Sequence, residues 1–235
     1  MSIAENIASI RARMKDAALA AGRDPGQILL CAATKMNDAD AVRQAIAAGV
    51  DCCGENRVQE LTAKQAENAY AGVPVHFIGR LQTNKVRQVV GKVDLIQSVD
   101  RWNLLQALQK EAARQQLRQD ILLEINIGGE DSKGGFAPGE LGEILGKMAE
   151  FPNLRVRGLM AIPPVSRNPG DNRKFFREMC NLSVDITGKK YDNVTIDILS
   201  MGMTDDFGDA IACGSTMIRV GSGIFGPRNY AKPHP

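Results

Sequence analysis

The sequence predicts one α/β domain over residues 1–235, folded as a single (β/α)8 TIM-type barrel with an extra N-terminal helix. Three observations carry this prediction. Eight apolar runs of strand length alternate with segments of helical periodicity, which is typical of a parallel sheet. Eight such units in one chain favour a closed barrel over an open sheet. No linker or change in composition marks a second domain.

The first predicted element is a helix that stands outside the repeating units. Residues 2–21 carry apolar side chains at helical spacing, and Gly22 and Pro25 end the pattern. We expect this helix to close the bottom of the barrel.

The repeating units follow in order along the chain. The first strand is continuously apolar, as expected of a strand buried on both faces. The predicted strands span residues 28–34, 50–54, 73–78, 95–99, 121–127, 155–162, 194–199 and 216–220. Helices are expected from Asp38 or Asp40, after Arg57, after Lys85, after Asp100, from Pro138, over residues 172–187, and from Thr204 or Asp205.

Composition argues against several classes of function. The formal net charge of +2 is too small to indicate a partner such as nucleic acid or an anionic membrane. No apolar run approaches the ~20 residues of a membrane span, and the N-terminus lacks a signal-peptide pattern, so we expect a cytoplasmic protein. Five scattered cysteines and two histidines predict buried reduced thiols and no metal site.

Small and hydroxyl-bearing residues follow the last two strands. Ser200 to Thr204 follow the seventh strand, and Gly221 to Gly223 follow the eighth. Backbone N–H groups, hydroxyls and the positive end of a following helix suit an anion, and barrels bind phosphate at these two loops. The run from Gly221 to Gly226 also reads G-x-G-x-x-G, but only nine residues follow it, too few for a dinucleotide-binding unit.

Two basic residues are candidates for a role near that phosphate site. Lys35 directly follows the first strand, where desolvation would free its amine to attack a carbonyl; an ordinary surface lysine is the alternative. Arg219 points into the barrel and needs a partner there. The partner is either a ring nitrogen of a ligand or a strand acid, Glu124 or Asp197.

Other polar residues at or near strand ends are weaker candidates. His76 lies in an apolar strand and is either a hydrogen-bonded core residue or a ligand contact. Asn56 ends the second strand with Glu55, where barrel enzymes build their sites. The pair Asp205 and Asp206 is explained by helix capping.

Eight motifs, in order along the chain, resemble the pyridoxal phosphate homeostasis proteins. This is the YggS/PROSC family, which is related to the N-terminal barrel of alanine racemase. The motifs are Ala32-Ala-Thr-Lys35, Gly54-Glu-Asn-Arg57, the run from His76 to Lys85, Ser98-Val-Asp100, Ser132-Lys-Gly-Gly135, Gly158-Leu-Met-Ala161, the run from Ser200 to Phe207, and Arg219-Val-Gly-Ser222 with Ile224-Phe-Gly226.

The resemblance implies a set of residues that bind pyridoxal 5'-phosphate (PLP). Lys35 would hold the cofactor as an internal aldimine, and Arg219 would face the pyridine nitrogen. The phosphate would be bound by Ser200, Gly202, Gly221 and Ser222. Asn56, His76 and Met160 would line the ring pocket. Met36 and Asn37 follow Lys35 where the family usually has a proline, so the local loop departs from the family pattern.

The same resemblance implies little or no catalysis. An arginine cannot give the pyridine nitrogen a proton, so the ring would be a poor electron sink. The racemase takes a second base from a domain that this chain lacks, and Tyr230 is the only tyrosine close behind the last strand. We therefore expect a protein that binds, buffers and delivers PLP, with no catalytic residues and with PLP-dependent client enzymes as possible partners.

The sequence leaves two alternative functions open and gives one expectation about the oligomeric state. The chain could instead be a PLP-dependent amino-acid racemase, or a lysine Schiff-base aldolase acting on phosphosugars. Because it lacks the domain that helps to build the racemase dimer, we expect a monomer.

Overall fold

The computed structural model describes residues 1–130, 133–165, 168 and 170–227. Eight parallel strands pair in sequence order, and the last pairs with the first, so the sheet closes into a barrel. The strands are β1 (Leu29–Ala33), β2 (Cys52–Glu55), β3 (Val75–Phe77), β4 (Leu95–Val99), β5 (Gln119–Ile125), β6 (Leu154–Ala161), β7 (Val194–Ser200) and β8 (Met217–Val220). The predicted (β/α)8 barrel is confirmed. Tyr230 lies outside the described residues.

Helices surround the barrel. The α-helices are α1 (Ile3–Ala20), α2 (Ala39–Ala47), α3 (Val58–Ala66), α4 (Trp102–Arg114), α5 (Leu141–Gly146), α6 (Arg173–Thr187), α7 (Phe207–Ala212) and α8 (Ser222–Phe225). Short 3-10 helices span Pro25–Gln27, Thr83–Gln88, Pro138–Glu140 and Met148–Glu150. The helix expected after β3 is therefore a 3-10 helix. No helix among the described residues is long and apolar enough to cross a membrane.

The start of α7 differs from the prediction. The helix begins at Phe207, not at Thr204 or Asp205. Asp206 stands at its N-cap position but makes no capping hydrogen bond. Its carboxylate accepts instead from the Met203 N–H at 2.7 Å and the Asn172 side-chain amide at 2.8 Å. The capping interpretation of Asp206 is therefore wrong, because this carboxylate holds the loop after β7 against α6.

Helix α1 occupies a different place from the one expected. Its N-terminus is closed by a capping box between Ser2 and Glu5. The helix packs against α2, α7 and α8, and Asn6 donates to the Ile224 carbonyl at 2.9 Å. It therefore lies in the outer helical layer rather than under the barrel. Helix α8 has only four residues, and the buried face of α1 adds Ile7, Ile10, Met14 and Ala18 to the same core cluster as residues of β1 and β8.

Polar side chains lie at two levels along the strands. Towards the amino ends of β5 and β6, partly exposed ion pairs join Arg157 to both Asp120 and Asp197, and Arg155 to Asp120. Towards the carboxyl ends of the strands, buried polar side chains point inward between apolar ones: His76, Gln97, Ser200 and Arg219.

Candidate functional site

A cavity of about 920 Å³ opens at the carboxyl ends of β1, β2 and β8. Five of the nine predicted site residues line it: Lys35, Asn56, Arg219, Gly221 and Ser222. Residues of the loop after β7 complete the wall, among them Met203 and Thr204. Barrel closure thus brings the first and last strands together around one space. The other four predicted residues, His76, Met160, Ser200 and Gly202, are not part of the cavity lining.

The turn after β1 presents Lys35 to the cavity. Met36, the next residue, has a positive φ of 62°, which is uncommon for a side chain of its size. Its N–H donates to Glu60 Oε2 at 2.7 Å, and the Asn37 side-chain amide donates to the Lys35 carbonyl at 2.9 Å. The unusual turn is therefore held by specific hydrogen bonds, and Lys35 is half-buried at its apex.

A buried ion pair between α3 and β2 supports this turn, and its cation, Lys64, also lines the cavity. Lys64 Nζ donates to Glu55 Oε1 at 2.5 Å and to the Thr34 carbonyl at 2.8 Å. Glu55 also accepts from the Thr34 hydroxyl at 2.6 Å and the Tyr70 hydroxyl at 3.1 Å. Glu55 is fully buried, so it acts in the structure as a support and not as a wall of the cavity.

The sequence analysis missed Lys64 and Tyr70. Lys64 continues the buried face of α3 that begins with Val58 and Leu61, and this spacing is the signal that could have identified it. Burial, followed by the charge of Glu55, raises the pKa of Tyr70 well above its usual value. Tyr70 is therefore a permanent hydrogen-bond donor to Glu55.

Arg219 is buried in the barrel and is held by neutral acceptors. It donates to Ser200 Oγ at 2.6 Å and to the Ala161 carbonyl at 2.9 Å. Among the described residues no carboxylate forms an ion pair with it, and Asp197 is paired with Arg157. Burial lowers the pKa of Arg219. A guanidinium with donors to spare, and with no carboxylate paired to it in the described part of the chain, is suited to a ligand.

Glu124, the other acid considered for Arg219, is near enough for the two charges to interact, but the two side chains form no ion pair. Burial, and then the nearby charge of Asp100, raises the pKa of Glu124 to about 7. The salt-bridge alternative for Arg219 is therefore wrong for both acids.

Hydroxyl groups and glycines face the cavity opposite Lys35. Thr204 Oγ1 and Ser222 Oγ lie 3.2 Å apart, and the Gly223 N–H donates to Thr204 Oγ1 at 3.3 Å. Gly221 precedes them at the end of β8. Thr204 was not predicted as a site residue, although the hydroxyl-rich pattern around it was recognised. The geometry suits a phosphate group.

Ser200 and Gly202 have structural partners. The Ser200 hydroxyl donates to Gln97 Oε1 at 2.7 Å while it accepts from Arg219. Gly202 has a φ of 94°, and a Cβ there would lie 2.6 Å from the Cβ of Ala210 on α7. Its carbonyl accepts the Arg219 N–H at 3.0 Å. Both residues therefore position the Arg219 region, and their contact with phosphate stays a prediction.

Asn56 offers the cavity an acceptor that its own chain leaves unused. Its Oδ1 atom is buried and accepts no hydrogen bond from a described residue. A buried acceptor without a donor is costly, so a ligand with a hydroxyl group would satisfy it. An amine on one wall, hydroxyls on another and this acceptor fit a phosphorylated aldehyde that carries a ring hydroxyl.

His76 and Met160 lie deeper in the barrel. His76 Nδ1 is hydrogen-bonded to Gln97 Nε2 at 2.8 Å, which agrees with the interpretation of His76 as a hydrogen-bonded core residue. Met160 is fully buried among Leu95, Leu122 and Ile198. Their predicted contact with a ring receives no support from the cavity lining.

Fold and site together define a parallel (β/α)8 barrel with a lysine and a hydroxyl-rich anion site in one cavity. Residues 2–229 match the family described as "Alanine racemase, N-terminal domain". Two curated relatives are 41% identical to this chain, one from Aquifex aeolicus over 98% of this chain and 100% of its own length, the other from Pseudomonas aeruginosa over 99% and 98%. Both are named "Pyridoxal phosphate homeostasis protein". The chain belongs to this family of pyridoxal phosphate homeostasis proteins.

Solved structures agree with this assignment. A Bifidobacterium adolescentis protein has a TM-score of 0.89 at 35% identity and covers 95% of this chain and 94% of its own. PipY of Synechococcus elongatus, in a structure described as having PLP bound, has a TM-score of 0.82 at 32% identity and covers 96% and 100%. An alanine racemase of Clostridium difficile, 14% identical with a TM-score of 0.66, shares the fold over 98% of this chain and 58% of its own.

Proposed function

We propose that the chain binds PLP in the cavity, with Lys35 as its covalent anchor, and serves intracellular PLP homeostasis with little or no catalysis of its own. The observation that carries the proposal is the convergence of Lys35, Arg219 and the Thr204–Ser222 hydroxyls on one cavity. The PLP-bound structure of PipY, a relative over nearly the whole chain, supports it.

Each wall of the cavity has a matching role in this proposal. The Lys35 amine condenses with the cofactor aldehyde, forming a C=N bond and releasing water. Gly221, Ser222 and Thr204 bind the phosphate, with Ser200 and Gly202 holding the adjacent backbone. Asn56 Oδ1 accepts from the ring hydroxyl. His76 and Met160 shape the barrel beneath the ring.

Arg219 gives the bound cofactor its restricted chemistry. PLP acts as an electron sink for carbanions, and it does so best when its pyridine nitrogen is protonated. A guanidinium donates to that nitrogen but gives up no proton, so the nitrogen stays unprotonated. The hydrogen bonds from Arg219 to Ser200 and Ala161 hold the guanidinium inside the barrel for this purpose.

The cavity lining supports limited catalysis for a second reason. Racemisation needs a base on each face of the substrate. Apart from Lys35, the described residues that line the cavity include no tyrosine and no histidine, and the other lysine there, Lys64, is paired with Glu55 and Glu60. Binding and release are then the main activities, with cytoplasmic PLP-dependent enzymes as recipients and the protein acting as a monomer.

A transfer experiment tests this function. PLP-loaded protein is mixed with an apo PLP-dependent enzyme, with and without a dialysis membrane between them, and activation of the enzyme is followed beside amino-acid racemisation. We expect the apo enzyme to be activated both with and without the membrane, faster on direct mixing. We expect negligible racemisation. Substantial racemisation that disappears in Lys35→Ala would instead identify a racemase. A chain that holds PLP without activating the enzyme would contradict delivery.

A further inference from the structure

Three metal-binding side chains meet inside the barrel, one layer beneath the cavity. Cys31, Cys52 and His76 belong to β1, β2 and β3, and one donor atom of each lies within 4.8 Å of the others. All three residues are buried. The sequence places them far apart, but in-register pairing of the strands brings their inward faces together. The prediction of scattered thiols therefore overlooks a cluster that only barrel closure creates.

We propose that Cys31, Cys52 and His76 bind one thiophilic d10 metal ion of the zinc(II) or copper(I) type. Two thiolates and an imidazole are the donors that such ions prefer. The centre of a triangle with edges of 4.8 Å lies about 2.8 Å from each corner, and zinc needs about 2.3 Å to sulfur and 2.0–2.1 Å to nitrogen. Side-chain shifts of well under 1 Å close that gap, so the strands keep their positions.

Neighbouring residues complete the surroundings of this site. Met217 belongs to the same buried cluster as the two cysteines, and its thioether, which accepts from Gln97 Nε2 at 3.2 Å, is a weak donor of the soft kind. Gly54 makes room for the Cys31 sulfur, since a Cβ there would lie 2.9 Å from it. Ala33, two residues above Cys31 on β1, lines the cavity, so the cluster lies directly beneath the cavity floor.

Gln97 orients the imidazole. In the structure the Gln97 amide nitrogen donates to His76 Nδ1 at 2.8 Å, so the imidazole proton is on Nε2, the nitrogen that the metal would take. In the metal-bound state Nδ1 carries the proton and donates to Gln97 Oε1, and the rotated amide donates to Ser200 Oγ. This is the usual outer support of a metal-bound histidine.

The charges also balance. Each thiol releases its proton to solvent as it binds, so zinc(II), two thiolates and a neutral imidazole sum to zero. A neutral site suits a barrel interior that already holds the Arg219 cation, where an unpaired charge is costly. A disulfide between Cys31 and Cys52 is the competing fate of the thiols, but it uses neither the imidazole nor the thioether.

Zinc binding to the reduced protein without added PLP tests the site. The background variant Cys180→Ser/Cys213→Ser removes the two partly exposed thiols. We expect native mass spectrometry to find one zinc per chain, and zinc to raise the melting temperature. In this background Gln97→Ala should weaken zinc binding about 10-fold, and Cys31→Ala or His76→Gln more than that. Cys53→Ala is the matched control, because Cys53 packs in the helix-facing core and should leave binding unchanged.

X-ray absorption on zinc-loaded wild-type protein keeps the test independent of variant folding. The proposal expects two sulfur ligands and at least one imidazole nitrogen. A shell of only nitrogen and oxygen ligands would overturn it, as would zinc binding that survives in both Cys31→Ala and His76→Gln. A Cys31–Cys52 disulfide in the purified protein, with no zinc uptake after reduction, would also overturn it. None of these results depends on PLP.

Discussion

Replacing Lys64 by methionine removes the ammonium group that binds Glu55 and the Thr34 carbonyl and so supports the Lys35 turn. The Lys64 side chain is 7% exposed and that of Glu55 is 0% exposed, so the substitution leaves a carboxylate buried without its cation. Breaking a buried pair in this way costs about 3–5 kcal/mol of folding free energy. In a chain of this size each kcal/mol lowers the melting temperature by ~2–4 °C, which gives a loss of roughly 6–20 °C.

Thermal unfolding of wild type and variant measures this effect. Lys147→Met is the matched control, because Lys147 forms only an exposed ion pair with Glu143 and a contact over the Trp102 ring, and should change the free energy of unfolding by less than about 1 kcal/mol. The double variant Glu55→Gln/Lys64→Met removes both charges and should recover part of the loss.

The same variant carries a functional expectation. Lys64 also donates to the Thr34 carbonyl, next to Lys35, so Lys64→Met should weaken PLP binding as well as stability. A loss below about 1 kcal/mol, or no recovery in the double variant, would refute the view that the pair is a buried support of the turn.

Two further predictions concern Gly202 and Glu124. Gly202→Ala should destabilise the protein by about 2–4 kcal/mol, because the position has a positive φ and the new Cβ would lie 2.6 Å from the Ala210 Cβ. Gly142→Ala is the control: it lies in open space on α5 and should stabilise the protein slightly. Burial and Asp100 raise the pKa of Glu124 to about 7 from 4.5, so the folded protein keeps a proton that the unfolded chain loses. The contribution of Glu124 to the free energy of unfolding is therefore highest below pH 4.5. It falls by up to about 3 kcal/mol as the pH rises through 7. Denaturant midpoints from pH 5 to 8 should fall in wild type and fall less in Glu124→Gln; a flat wild-type profile would contradict this.

The fold could be predicted because several strands, β1 above all, are apolar on both faces. Continuous runs such as the one before Lys35 are visible without any tertiary information. The type of helix after β3 was harder to predict, because the segment Thr83–Gln88 buries only Val86 and lacks a full apolar stripe. The place of α1 could not be predicted, since it depends on the packing of α1 against α2, α7 and α8.

The cavity was predicted in outline and not in detail. Lys35, Arg219 and Ser222 stand at strand ends, where barrel topology alone brings them together. The support from Lys64 and the metal-binding cluster both depend on which side chains face each other across strands or between a strand and a helix. Sequence spacing does not contain that information. Thr204 stood in the run expected to suit an anion but not in the set of phosphate-binding residues, and its hydroxyl lies beside that of Ser222.

The most direct test of the central claim is borohydride reduction of the PLP-treated protein, followed by peptide mass mapping. We predict a pyridoxyl phosphate adduct on the peptide that contains Lys35, absent in Lys35→Ala and retained in a Lys85→Ala control on the 3-10 helix after β3. An unmodified Lys35 at saturating PLP, or an adduct that persists elsewhere in Lys35→Ala, would contradict the account.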